Sequence, residues 1–542
     1  MLTEQIDEAA ACRGDALYLE DAASGATLTY AGLRRSVRAW ARHLDEAGIP
    51  PGARVAVWLP DPFGYAGALV GILAAGRVVV PLDPGAPTAD VARMLKVAQP
   101  AALAGDDLET GLPVLGVPGP GVPGPGRSGA GRSGADADPA FAGRGGIFLC
   151  TSGTTGTPKG ILLREGQLVH VAGSVAGHHR LTPADRGYCC LPLFHINAEV
   201  VGLLATLAAG ACLVVDRKFS RRGFWELIET RQITWINAVP AIITILAMDP
   251  PVATPGRVRF IRSASAPLAP SALRRFEDSF GIPVVETYGM TEAASMITAN
   301  PLDGPRKAGS AGRPAGTEVR VVSRDGGQPR PCPAGTIGRV QIRGPGVITE
   351  YAAGGPEGAI DASGWLDTGD LGHLDGDGYL FLAGRSDDVI NRGGEKIYPR
   401  EIEEFLLTQP GVGSAVVIGA RDEVLGERPV AYVVPAGSPG LPGLPALPGL
   451  PGLPGLPGLW ESTDLADPAD PADLADALRA ACEAELPRPK RPTEFCLVPE
   501  LPLGATGKVS RRRLRELAAR PPDPGVTRRA CSHQVAPLSR CP

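Results

Sequence analysis

Apolar positions in the first hundred residues switch between two periods. Helical spacing runs from Thr29-Tyr-Ala-Gly-Leu33 through Arg34 to Gly48, and again from Phe63 to Ala75. Between and after them, Arg54-Val-Ala-Val-Trp58 and Val78-Val-Val80 are short β-branched runs. Apolar residues recurring every three or four positions give a helix one buried face, whereas short β-branched runs bounded by turns suit strands. The alternation from Asp15 to about Asp107 predicts α/β layers with a largely parallel sheet. Gly146-Ile-Phe-Leu-Cys150 and Val258 to Ile261 read as strands, Ala415 to Val434 as a strand-containing segment, and Ala472 to Glu485 as a helix. The most apolar run, Val200 to Val215, is interrupted by Gly202 and Gly210. It falls short of the roughly 20 residues of a membrane span, so it predicts a buried helix followed by a strand.

Two stretches have no such period. Residues 112–139 are dominated by Pro, Gly, Ala and Ser, and residues 440–460 repeat Gly-Leu-Pro, with Ala446 in place of one glycine. These compositions bury too little apolar surface to offset their ordering entropy. The first predicts a mobile surface loop and the second an extended polyproline-type insertion. At 542 residues the chain is too long for one ordinary core. The expected organisation is a large layered domain over 1–384, a small α+β domain over 385–520 and a disordered tail over 521–542.

Composition narrows the function. A net charge of -5 and a pI near 5.9 leave no basic field for nucleic acid or anionic lipid. Arg511-Arg-Arg513 reads as a solvated helix face. The ten cysteines include the adjacent Cys189-Cys190 but no Cys-x-x-Cys pair, which suits reduced thiols. The opening Met1-Leu-Thr-Glu-Gln-Ile-Asp-Glu has neither a basic nor an apolar leader region, so a cytoplasmic protein is expected.

The chemistry centres on Thr151, Ser152, Gly153, Thr154, Thr155, Gly156 and Lys159, directly after the strand ending at Cys150. Glycines interleaved with hydroxyl residues allow backbone N–H groups to converge on an anion, and Lys159 adds a positive charge. The P-loop is excluded, because it needs a hydroxyl residue after its lysine and here Gly160 follows. Six further stretches follow in order: Phe194-His195-Ile-Asn197-Ala-Glu199; Arg262-Ser263-Ala-Ser265-Ala266-Pro267; Glu286-Thr287-Tyr288-Gly289-Met290-Thr291-Glu292; Thr368-Gly-Asp370; Arg385-Ser-Asp387 with Gly393-Gly394; and Gly507-Lys508. Singly, each has a plain structural reading. A histidine in an apolar context is more often a core residue, Thr-Gly-Asp is common in turns, and a lysine on a glycine turn is usually just exposed. A Thr beside a carboxylate, as at Thr291-Glu292, suits Mg²⁺ held at a triphosphate, since a hard cation takes oxygen ligands.

In this order, over roughly residues 15 to 518, the stretches resemble the adenylate-forming superfamily of acyl-CoA synthetases, carrier-protein adenylation domains and luciferases. Phe260-Ile-Arg-Ser-Ala-Ser-Ala-Pro and Ile390-Asn-Arg-Gly-Gly-Glu-Lys-Ile look closest to its oxalate–CoA and coumarate–CoA ligase types. The resemblance implies ATP, Mg²⁺ and coenzyme A, and a small carboxylic acid activated as acyl-adenylate before thioester formation. It places the 151–159 loop on phosphate, Ser265, Ala266 and Pro267 under adenine, and Glu286 to Met290 along the nucleotide, with Tyr288 stacked on the base. Thr291 is placed at the α-phosphate, Glu292 and Thr155 at the metal, and Asp370 and Arg385 at the ribose. His195 becomes the gate to an acyl pocket walled by Asn197, Glu199 and Ser263, Lys508 the bridge between carboxylate and α-phosphate, Asp387 the hinge of a mobile lid, and Gly393 and Gly394 the turn that approaches pantetheine.

The chain departs from the family at Ala198-Glu199, where a small Gly is usual, and at Asn391, where coumarate-type members often carry Lys. A second reading keeps the adenylation and changes the acceptor to a carrier-protein phosphopantetheine, an amine or nitrite-type chemistry. A third is a nucleotide-binding module without turnover, which would predict damage at Lys508, Glu292 or Asp370, and all three are present. An α-amino-acid activator would place an Asp near Phe194-His195, and none occurs there.

Overall fold

The computed structural model describes residues 1–106, 108, 111–118, 144–151, 159–248, 256–323, 329–436, 471–502, 509–519 and 527–530. It divides into two compact units, Met1–Thr368 with His373–Phe381, and Gly369–Gly372 with Leu382–Pro542.

Helix starts in the first unit follow from local chemistry. Thr29 caps Tyr30–Glu46 by accepting from the Gly32 N–H at 3.1 Å, and Asp61 caps Pro62–Ala74 by accepting from Gly64 N–H at 2.7 Å. Tyr30, Leu33, Val37, Trp40 and Leu44 form the buried face of the first helix. The two helices touch where Gly71 meets Trp40, and a Cβ at Gly71 would lie 2.1 Å from the indole.

Besides the four-stranded sheet Glu318–Val322, Gly338–Arg343, Leu366–Leu374, Leu380–Arg385, two sheets build this unit. One has the order Val114–Leu115, Ala102–Gly105, Arg54–Trp58, Val78–Pro81, Gly146–Thr151, Lys159–Arg164, parallel except for its last pair. The other runs Arg313–Pro314, Ser295–Ala299, Val284–Met290, Phe260–Ser263, Trp235–Ala238, Arg186–Cys189, Cys212–Val215, Leu17–Asp21, Thr27–Thr29. It is parallel from Val284–Met290 to Leu17–Asp21 and antiparallel at both edges. The apolar run after His195 opens as a π-helix, Asn197–Leu204, and continues as Ala205–Ala209 and the strand Cys212–Val215. No described helix is long and apolar enough to cross a membrane.

In the second unit the hairpin Val412–Asp422 and Gly426–Pro435 carries Glu494–Leu497 in parallel at its edge. Pro399–Leu407 and Pro471–Glu485 cover one face through Ile402, Leu406 and Leu478, and Arg511–Ala518 covers the other through Leu514. Within the tail expected to be disordered, Thr527–Ala530 pairs antiparallel with Glu494–Leu497. An otherwise open strand edge offers unpaired N–H and C=O groups, which this pairing satisfies. Arg511 is not on a solvated face. Its guanidinium meets Asp388 at 3.3 Å and Glu403 at 2.8 Å, whereas Arg512 is exposed beside Glu516.

Candidate functional site

Gly146–Thr151 and Lys159–Arg164 are antiparallel with Thr151 opposite Lys159, so the two ends of the Ser/Thr/Gly loop are pinned side by side. The loop residues Ser152, Gly153, Thr154, Thr155 and Gly156 lie outside the described residues, as does the Thr151 side chain. The Lys159 ammonium stands 5.8 Å from the centre of the Tyr351 ring, and the Tyr351 hydroxyl donates to Glu292 Oε1 at 3.1 Å. One tyrosine therefore sits between the cation of the loop and the carboxylate of the Thr291-Glu292 turn. No sequence signal pointed to Tyr351, which is 59 positions from Glu292.

Phe260–Ser263 and Val284–Met290 run parallel with Ser263 opposite Glu286, and their C-terminal ends carry two of the predicted stretches. In open α/β sheets this end is where ligands bind. The first strand starts two residues later than the apolar run Val258 to Ile261 suggests, because pairing with Trp235–Ala238 fixes it. Ser263 is thus a buried strand residue, and its carbonyl accepts from Thr287 Oγ1 at 3.1 Å. Beyond it, Ser265, Ala266 and Pro267 are exposed, and Ser265 holds φ +75°, a conformation few non-glycine residues adopt. The string Glu286–Glu292 is a strand, a 3₁₀ turn at Thr291–Ala293 and a return along Ser295–Ala299. Its register shifts between Tyr288 and Gly289, where a Cβ on Gly289 would lie 1.5 Å from the Ser295 carbonyl oxygen. Only glycine fits that bulge.

His195 lies just before the π-helix with its ring 4.6 Å from that of Phe194. Asn197 and Glu199 occupy the first turn of the helix and are both buried. Asn197 Oδ1 accepts from Arg262 Nη1 at 2.7 Å, and the same nitrogen donates to Asn237 Oδ1 at 3.0 Å. Glu199 is fully buried with no hydrogen-bond partner for either oxygen, and burial pushes its carboxyl well above the usual range. The Tyr65 hydroxyl is likewise buried without a partner, and burial raises its pKa.

In the second unit, Asp370 Oδ1 accepts from Arg385 Nη1 at 3.1 Å. Asp370 groups with this unit rather than with the large one, and it lies within the strand Leu366–Leu374 rather than on a tight turn. The local freedom comes from Gly369, at φ +73°. Asp387 is exposed in the turn Ser386–Asp388, and Arg515 donates to its carbonyl at 3.4 Å and to Asp388 Oδ1 at 2.7 Å. Gly393 and Gly394, at φ +60° and +89°, join Ile390–Arg392 to Glu395–Ile397. Two consecutive positive-φ residues are what a two-residue hairpin turn of this hand needs. Lys508 lies outside the described residues.

The residues present fit Mg²⁺ with a nucleotide. Tyr351 engages Oε1 of Glu292, and no donor among the described residues takes Oε2. One available carboxylate oxygen near the Lys159 ammonium suits a cation that completes its shell with phosphate and water.

The AMP-binding enzyme model matches residues 6–352, and that of the AMP-binding enzyme C-terminal domain matches 401–446. The chain is 38% identical to a sulfoacetate–CoA ligase of Cupriavidus necator, over 92% of this chain and 94% of the relative. It is 36% identical to an oxalate–CoA ligase of Arabidopsis thaliana, over 75% of this chain and 84% of the relative. Among solved structures it resembles the o-succinylbenzoate coenzyme A synthetase of Bacillus subtilis in complex with ATP and magnesium ion, with a TM-score of 0.75 at 26% identity over 94% of this chain and 99% of that one. A family model over residues 6–352, a second over 401–446 and a 38% identical relative spanning 92% of the chain lead to one conclusion: the chain belongs to the AMP-binding enzyme family.

Proposed function

We propose that the chain is an AMP-forming acid–thiol ligase in which Lys159, Tyr351 and Glu292 form the phosphate and metal end of the site. It activates a carboxylic acid with ATP and passes the acyl group to coenzyme A. The observation that carries the reading is the Lys159–Tyr351–Glu292 line, which brings a cation and a carboxylate to either side of one tyrosine. Bound Mg²⁺ would be held by Glu292 and Thr155 and would offset charge on the phosphate oxygens.

Tyr288 offers a ring for the adenine beside the exposed Ser265-Ala266-Pro267 turn, and Asp370, steadied by Arg385, offers acceptors to ribose hydroxyls. His195 closes the acyl side. Lys508 supplies the positive charge where carboxylate attacks phosphate, a step in which two anions must meet. Gly393 and Gly394 leave backbone bare of side chains for the pantetheine arm.

The test is ATP–pyrophosphate exchange over a panel of carboxylic acids, beginning with sulfoacetate and oxalate, on which the two relatives act. Exchange driven by an acid in the wild type should fall about a hundredfold or more in Lys508→Ala and in Glu292→Gln, the size expected for removing one charge-stabilising group. ATP binding without exchange for any acid would defeat the reading. Supplying coenzyme A or a carrier-protein phosphopantetheine to the adenylate then identifies the acceptor.

A further inference from the structure

One polar row crosses the interior of the sheet just short of its C-terminal ends. Cys189, Asn237 and Arg262 are neighbours in register on three parallel strands, and Asn237 Nδ2 approaches Cys189 Sγ at 3.8 Å. Asn197 of the π-helix covers Arg262 from above the sheet. Arg262 is 2% exposed, yet among the described residues no carboxylate pairs with it. Its bonds among the described residues are to two neutral amides, and its Nε–H is buried without an acceptor.

The contrast within the chain is informative. Arg77 is just as buried and is saturated, donating to Asp45 and to the carbonyls of Ile49 and Ala75. That is how a buried guanidinium with a purely structural role is handled, because an uncompensated buried charge is costly. Asn197 extends the deficit. A guanidinium has no acceptor, so the amide must turn its oxygen toward Arg262, which leaves Nδ2 buried with nothing to bind. Glu199, two residues along the same helix, makes no hydrogen bond and so does not supply the missing acceptor. Two unpaired donors and a positive charge meet where Asn197, two residues beyond His195, touches Arg262, and the group they lack is an anion. Burial alone draws the Arg262 pKa down to about 9, a cost that an anion beside it would reverse.

We propose that Arg262, braced by Asn237 and joined by Asn197, is the subsite for a second anionic group on the substrate acid, a carboxylate or sulfonate, so that the chain selects small dianionic acids. The proposal rests on the acid-activating reading of the site. Arg262 binds one end of the acid and leaves the other carboxylate to attack ATP. A site built of unpaired donors rejects a substrate without matching acceptors, because those donors then stay buried and unpaired.

The experiment is pyrophosphate exchange at limiting acid, with oxalate, malonate, succinate and sulfoacetate set against acetate, propionate and butyrate. The wild type should favour its best dianionic acid over the best monoacid by about a hundredfold or more. Arg262→Met should erase that ratio by losing the dianionic acid while keeping or gaining the monoacid. Asn197→Ala, which removes one donor, should lower the ratio about tenfold. Should Arg262→Met fail to fold, the wild-type ratio and Asn197→Ala still decide. A wild type that prefers monoacids, or variants that lose both kinds of acid alike, would overturn the subsite and leave acid activation intact. No exchange with any acid would overturn both.

Discussion

At the scale of single residues, Glu199 makes a prediction whose sign is set by its surroundings. Its carboxyl is fully buried, has no hydrogen-bond partner and titrates well above its ordinary 4.5. A raised folded-state pKa means that the proton is held by the fold. The stability tied to it is fully present below about 4.5, and is lost as pH rises from there through the folded value. Gln keeps the shape and cannot ionise. Glu199→Gln should therefore unfold at nearly the same temperature as the wild type at pH 4.5 and at a higher one at pH 8, by thermal melts at the two pH values. An equal shift at both would mean that the carboxyl is not held neutral. Residues of this kind mark the limit of what the sequence discloses. The helix start at Thr29 and the Gly393-Gly394 turn were legible because each is local chemistry. Tyr351 and the Asn237–Arg262–Asn197 contacts were not, since partners 25 to 65 positions apart meet only through the sheet.

At the scale of elements, strand positions followed the apolar runs to within two residues, and the misses have a common cause. Val258 to Ile261 is the apolar run, but ladders with Trp235–Ala238 and Val284–Met290 place the strand at Phe260–Ser263. Composition sees side chains, and pairing answers to neighbours. The triple arginine shows the same limit. On the helix Arg511–Ala518, Leu514 enters the core beneath the hairpin, and the Tyr432 hydroxyl donates to its carbonyl at 3.3 Å. Arg511 is drawn in as well, donating to the Val417 carbonyl at 2.5 Å and to Glu403 at 2.8 Å. Glu403 is itself pushed up by burial, with Arg511 opposing that shift. Arg511→Met should strip a buried carboxylate of its counter-charge and destabilise the second unit by about 1–3 kcal/mol, whereas Arg512→Met, on the exposed face, should change stability by less than about 0.5 kcal/mol. Urea unfolding of the two variants checks the pair. Equal effects would return the whole triplet to the solvated face that its sequence suggests.

At the scale of the whole molecule, the order of the motifs and the α/β alternation gave the architecture, because each unit is built from local strand–helix alternation around its own core. Where the chain passes from one unit to the other was less legible. Gly369–Gly372 already belong with the second unit while His373–Phe381 return to the first, and the crossing falls inside strands rather than in a turn-rich linker. Conversely, the most linker-like composition, Gly-Leu-Pro repeated over 440–460, marks no boundary: the described residues on either side of it belong to the second unit. Its flanks, the strand Gly426–Pro435 and the helix Pro471–Glu485, carry their own cores, with Val433 and Leu478 both in one cluster. The entropy of closing a connection grows only as the logarithm of its length, about 0.6 kcal/mol per doubling. Replacing 440–460 by a short Gly/Ser linker should thus move the unfolding free energy by less than about 1 kcal/mol and leave acid-dependent pyrophosphate exchange unchanged. A loss of several kcal/mol would show the repeat packing against the fold, and exchange lost at unchanged stability would give the repeat a part in the reaction.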